Sequence, residues 1–272
     1  MSSIVRAAGL TGFQPLVQSL GGSASVILRR VGLSVGDFAD PDRYLPYSNV
    51  LLAIEEAARA LEVPDFGLRL ADAQDVSILG ILALAIKSAA SLRDSMLLAA
   101  KYMHFHTPGL VFEDFRSDDG ATECFKFAFF EGAPPAPQAI EHVVGHMCRL
   151  VALLSDRRAR PVGIHLRHAR IGSNRQYQQH LGQLPRFNAA FDGISVDPLE
   201  WRRPLRTHNA ELQAFVPAGH TAAAGPAGGG AGARGAARSH PRQPGGPGRR
   251  GAHPGAAPAH VAAPIARRRL CL

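Results

Sequence analysis

Two histidines stand four residues apart in Glu141-His142-Val143-Val144-Gly145-His146. On a helix that spacing puts both imidazoles on one face, where they can hold a metal ion. The glutamate precedes the first histidine, so the HExxH order is absent, and no Cys or Asp cluster completes a ligand set. No metal is assigned, His142 and His146 remain the pair that could take one, and the expected placement is a partly exposed helix face. His104 and His106 flank Phe105 just after Tyr102. In an extended segment both would point to one side, and Tyr102 with His106 could then line a small-molecule pocket. The alternative is that they are ordinary residues where a helix gives way to a strand. Arg69, inside Phe66-Gly67-Leu68-Arg69-Leu70, could meet a ligand carboxylate or sit in a structural ion pair. GxSxG, the P-loop and a GxGxxG after a strand are all missing, so no catalytic residue is assigned and the chain does not read as an enzyme. Gly228-Gly229-Gly230 lies in low-complexity sequence and has no phosphate-binding context.

The three cysteines, Cys124, Cys148 and Cys271, form no CxxC, so a disulfide framework is not expected and a reducing cytoplasm fits. Cys124 and Cys148 lie among apolar residues and should be buried, inert thiols.

Those residues must be positioned by a body whose limits show in the composition. The chain has 272 residues, with 30 Lys+Arg against 22 Asp+Glu. From residue 217 onward, 44 of 56 residues are Ala, Gly, Pro or Arg. That stretch holds eight arginines and no acid, so residues 1–216 are formally neutral and the pI near 10.1 belongs to the tail. The tail has no Phe, Tyr or Trp and few aliphatics, so it cannot bury enough surface to offset the entropy of ordering, and disorder is expected there. Arg249, Arg250, Arg267, Arg268 and Arg269 could touch phosphates without sequence preference; a solvated by-product is the preferred reading. No secretory signal opens the sequence, and the apolar run 78–86 stops at Lys87, short of the roughly 20 residues a membrane span needs.

Within 1–216 the first half reads as helices: a stripe of Phe13, Leu16, Val17 and Leu20 ended by Gly21-Gly22, a short helix after Ser23, an amphipathic helix from Ser48 to near Pro64, and a buried helix over 79–89. Ser91 with Asp94 is a capping-box-like start for the next. The period then changes. Residues 109–116 and 122–130, around the turn Ser117-Asp118-Asp119-Gly120, predict a hairpin. A long helix over 139–154, strands over 162–167, 186–190 and 193–196, a short helix over 174–181 and another begun at Leu205 complete the reading. This order predicts an α+β fold, with a helical N-terminal half followed by a small mixed sheet with helices.

Several of these pieces, in order, resemble the arabinose-binding-type sensor domain of AraC/XylS transcription regulators. They are Gly32-Leu33, Asp40-Pro41-Asp42-Arg43-Tyr44-Leu45-Pro46, Asp65-Phe66-Gly67-Leu68-Arg69-Leu70, Leu79-Gly80-Ile81-Leu82, Ser91-Leu92-Arg93-Asp94, and Val162-Gly163-Ile164-His165-Leu166 with Tyr177 beyond. The likeness covers roughly residues 10 to 216. It implies a cytoplasmic regulator whose N-terminal half binds a small effector or forms a homodimer; Arg69, Tyr102 and His106, picked from their own chemistry above, are the residues expected to line the effector's pocket, and no cofactor is expected. It also implies a C-terminal half that reads DNA through two helix-turn-helix units. Residues 217–272 depart from that pattern. Ala, Gly, Pro and Arg codons can be built from G and C alone, so a frameshift near codon 217 of a GC-rich gene is expected to have replaced the reading helices; alternate frames encoding no helix-turn-helix would refute this. The competing expectation is a haem- or metal-binding sensor, or an enzyme, on the same body with His104, His106, His142 or His146 as ligand.

Overall fold

The computed structural model describes residues 3–214, all within the unit Met1–Gly219. The expected body–tail boundary, the tail's disorder, the arginines from Arg249 to Arg269 and Cys271 lie outside the described residues. The chain opens with β1 (Ile4–Arg6) and a 3-10 turn, Ala7–Leu10, then α1 (Phe13–Ser19) and α2 (Ala24–Arg30). After a second 3-10 turn, Val35–Phe38, strand β2 (Tyr44–Pro46) pairs antiparallel with β1. Neither three-residue strand shows in the sequence; each is too short to carry a period.

The apolar stripe after Ser48 becomes α3 (Tyr47–Leu61), which buries Val50, Leu51, Ile54 and Ala57. Next come α4 (Phe66–Asp72), a 3-10 turn over Val76–Leu79, α5 (Leu82–Lys87) and α6 (Leu92–Tyr102). The single buried helix expected over 79–89 is therefore broken. Gly80 sits at φ +61°, a conformation open chiefly to glycine, and Ile81 and Leu84 beyond it are exposed. Ser91 does cap α6: its hydroxyl accepts from the Asp94 amide at 3.1 Å and donates to the Asp94 carboxylate at 2.6 Å.

The hairpin forms as β3 (Leu110–Arg116) and β4 (Glu123–Phe129), and α7 (Pro137–Leu154) follows. Then come β5 (Gly163–His165), α8 (Asn174–Leu181), β6 (Asp192–Val196), α9 (Pro198–Arg202) and α10 (Ala210–Ala214). The sheet runs β3-β4-β6-β5 with antiparallel ladders throughout, and the strand expected over 186–190 shrinks to one parallel bridge, Arg186 to His165. Fold class is α+β: helices lead, and α7 lies against both the helical half (α3, α4) and the sheet (β6). Trp201, Tyr177, Phe13, Phe66 and Phe125 anchor the core, and each is under 2% exposed. Among the described residues no helix is long and apolar enough to cross a membrane.

Candidate functional site: an apolar cavity with a histidine–glutamine end

Between α3, α6, α7 and the β3–β4 hairpin the core does not close. A cavity of about 390 Å³ remains, within the range of small-molecule sites, roughly 300–1,000 Å³. Helix α3 contributes Val50, Leu51 and Ile54; α6 contributes Met96 and Ala99; the hairpin contributes Phe112, Phe125 and Phe129. Helix α7 supplies Val143, Met147 and Leu150. Part of its apolar face therefore borders space instead of packed side chains. The charged lining residues, Asp75, Arg149 and Arg157, are exposed and mark the mouth.

The polar lining gathers around one residue. Gln74 is 3% exposed and follows the end of α4. Its Nε2 donates to the carbonyls of Gly9 at 3.2 Å and Thr11 at 2.6 Å. Carbonyl oxygens only accept, so the amide cannot be flipped. Its Oε1 must then face His142 Nε2 and His146 Nε2, each at 2.7 Å. The two Nε2 atoms stand 3.2 Å apart. An amide oxygen carries lone pairs alone, so both rings must present Nε2–H to it, which assigns both tautomers. Neither Nδ1 is hydrogen-bonded within the described residues. Burial holds His142 well below its usual value, with His146 adding to the effect. Burial and then Arg149 bring His146 down to about 4. His106 is 8% exposed and lies at about 4, through burial and then Arg6. All three histidines lining the cavity are neutral at pH 7.

Of the residues expected to line a pocket, His106 does. Tyr102 and Arg69 are not among the lining residues. Tyr102 is buried, stacked on Phe105 at 6.2 Å between ring centroids. Arg69 places Nε 3.0 Å from Asp65 Oδ1. The extended segment expected at 104–106 is a 3-10 turn, Met103–Phe105, so His104 and His106 diverge. His104 is exposed, its Nδ1 3.0 Å from the Lys101 carbonyl and its ring on Phe105. His142 and His146 share a face as the spacing required, but it turns inward, because Gln74 supplies the acceptor that burial demands. Gln74, Met96 and Ala99 gave no signal in the sequence. Among the described residues no three His, Cys, Asp or Glu side chains converge to hold a metal. Cys124 and Cys148 are buried free thiols, and burial pushes Cys148 up to about 12.

Behind the cavity, α7 carries a buried acid. Glu141 is 1% exposed and accepts from the Tyr177 hydroxyl at 2.5 Å, while its Oε2 has no partner. Burial raises it to about 8 against the pull of that hydrogen bond, so it is largely protonated at pH 7. A carboxyl raised in the folded state weakens folding as pH climbs from about 4.5 through 8. Glu141→Gln keeps an acceptor and cannot ionise. At pH 8.5 the variant should match or exceed the parent by ~1–2 kcal/mol in urea unfolding, with the gain shrinking toward pH 5. A gain that is equal at both pH values would contradict this.

Fold and cavity together describe an α+β domain with an open, largely apolar core. The family model described as "Arabinose-binding domain of AraC transcription regulator, N-term" matches residues 21–205, and the chain belongs to that family. The HTH-type transcriptional regulator VirS of Mycobacterium tuberculosis, in strains CDC 1551 / Oshkosh and ATCC 25618 / H37Rv, is 30% identical over 206 residues. The match takes in 75% of this chain and 61% of that regulator's length. The crystal structure of transcriptional regulator CdpR from Pseudomonas aeruginosa aligns with 61% of this chain and 58% of its own, at 18% identity and a TM-score of 0.43.

Proposed function

We propose that residues 1–216 are the effector-sensing and dimerisation part of an AraC-type transcription regulator, and that the effector is a small molecule held in the cavity between α3, α6, α7 and the hairpin. The carrying observation is the cavity itself: about 390 Å³ of unfilled space in a core that is otherwise packed. Protein interiors close such space unless something else fills it, since voids cost stability. The family's regulators act in transcription, which supports a signalling role over turnover, and among the described residues the lining holds no nucleophile–base pair. Operator binding is not assigned to residues 217–272, which carry no helix-turn-helix pattern.

Ala99→Trp tests the reading. Ala99 borders the cavity from α6, and an indole there would occupy the ligand's place. The parent should bind the neutral fluorophore N-phenylnaphthylamine saturably at one site. Ala99→Trp should bind it at least about tenfold more weakly while keeping the parent's far-UV circular dichroism. A folded Ala99→Trp with unchanged affinity would remove the cavity from the function. Sedimentation of the parent, with and without ligand, tests dimerisation separately.

A further inference from the structure

The geometry points to an uncharged effector with an apolar body and a single hydroxyl-type donor, whose hydrogen is accepted at the His142–His146 end of the cavity. This rests on the sensor reading above and narrows it to a ligand class.

Three observations carry it. First, the walls are hydrocarbon: Leu51, Ile54, Met96, Phe125 and Met147 among them. A polyol would leave most of its hydroxyls without partners there, and each buried unpaired hydroxyl is costly. Second, the polar end is pre-organised but electrically neutral. Gln74 is clamped by the Gly9 and Thr11 carbonyls and takes the Nε2–H of both rings. Each ring is then left with Nδ1, a lone pair with no partner among the described residues, and neutral imidazole nitrogens of that kind accept hydrogen bonds. Third, cations stay outside. Arg149 is ion-paired with Asp72 at 3.0 Å, and both Arg149 and Arg157 are exposed at the mouth. A carboxylate pushed to the histidine end would meet lone pairs instead of donors and would lose its hydration without a counter-charge. A hydroxyl or phenol offers the one group those nitrogens lack.

The test is displacement of N-phenylnaphthylamine from the full chain at pH 7.5 by 1-decanol, decanoate and L-arabinose. Decanol should displace it at least about tenfold more tightly than decanoate, and arabinose not at all. His142→Phe and, separately, His146→Phe should weaken decanol about tenfold, with each variant's own fluorophore affinity measured first, and abolish its preference over decanoate. His146 retains partial exposure, so its variant is the one to use if His142→Phe does not fold. Decanoate or arabinose binding as well as decanol, or decanol preference surviving in His146→Phe, overturns the ligand class while the sensor reading stands. Failure of the fluorophore to bind the parent at all overturns the sensor reading, and the ligand class with it.

Discussion

Replacing Gly67 by alanine is expected to remove ~3 kcal/mol or more of the protein's stability. On an exposed helix the same change would help, by about 1 kcal/mol. Here the added Cβ would lie 2.0 Å from the backbone oxygen of Gln138 and 2.9 Å from its carbonyl carbon. Ordinary contact begins near 3.4 Å, and the obstacle is backbone at the start of α7, which cannot rotate away. The two helices are also tied there: the Gly67 amide donates to Gln138 Oε1 at 2.8 Å, and Gln138 Nε2 donates to the Pro64 carbonyl at 2.7 Å. Further along, a Cβ on Gly145 of α7 would come 2.8 Å from Ala71 Cβ, so the crossing is close over its length. Overpacking of side chains costs about 1–3 kcal/mol, and a backbone obstacle should exceed that, reaching ~3 kcal/mol or more against a total near ~5–15. Urea unfolding would measure it, with Gly36→Ala as control, since a Cβ there meets only Ser34 Oγ at 3.8 Å. The consequence extends to the site. Parting α4 from α7 draws Gln74 away from His142 and His146, so any folded Gly67→Ala should also lose fluorophore affinity. A variant as stable as the control would mean that the two helices are not this close.

The second large effect is expected at His180. Its side chain, 6% exposed, joins α8 to α4 by two bonds, Nε2 to Asp65 Oδ2 at 3.1 Å and Nδ1 to Asp72 Oδ2 at 2.6 Å. Those two hydrogen bonds raise it to about 9, so it is an imidazolium at pH 7. For Asp65, burial alone would raise the carboxyl, but His180 and Arg69 outweigh burial and hold it near 2. His180→Ala leaves the 1%-exposed Asp65 side chain charged with Arg69 alone. Breaking a buried pair costs about 3–5 kcal/mol; Asp72 and Arg69 are each about 40% exposed, and solvent screening there reduces the expected loss to ~2–4. The pH signature is specific. A histidine raised in the folded state stabilises fully below about 6.5 and loses that contribution as pH rises through about 9. Parent stability should therefore fall over that window more steeply than His180→Ala. Glu141 adds its own decline up to about 8 in both proteins, so the difference between parent and variant is the quantity to read. Equal slopes from pH 6.5 to 9 would show that His180 is not the charged bridge.

Residues 109–130 illustrate what a local pattern can specify. Alternating Phe and polar residues around Ser117-Asp118-Asp119-Gly120 gave the β3–β4 hairpin, and the 3.6-residue period of 139–154 gave α7, because both depend on neighbours a few positions away. The spacing of His142 and His146 likewise placed them on one face without any fold. Which way that face turned was another matter. A partly exposed face was the expectation; His146 keeps partial exposure, while His142 is buried, because Gln74, 68 residues earlier than His142, brings an oxygen aimed by two backbone carbonyls. Of the two alternatives the sequence left for Arg69, a ligand carboxylate or a structural ion pair, it makes the second, with Asp65. Sequence by itself determined the longer elements, the neutrality of the body and the family, since these follow from residue type and short-range order. Tertiary structure alone decided where the core stays open and which polar groups border it, because burying a polar group depends on a partner that the chain delivers from far away.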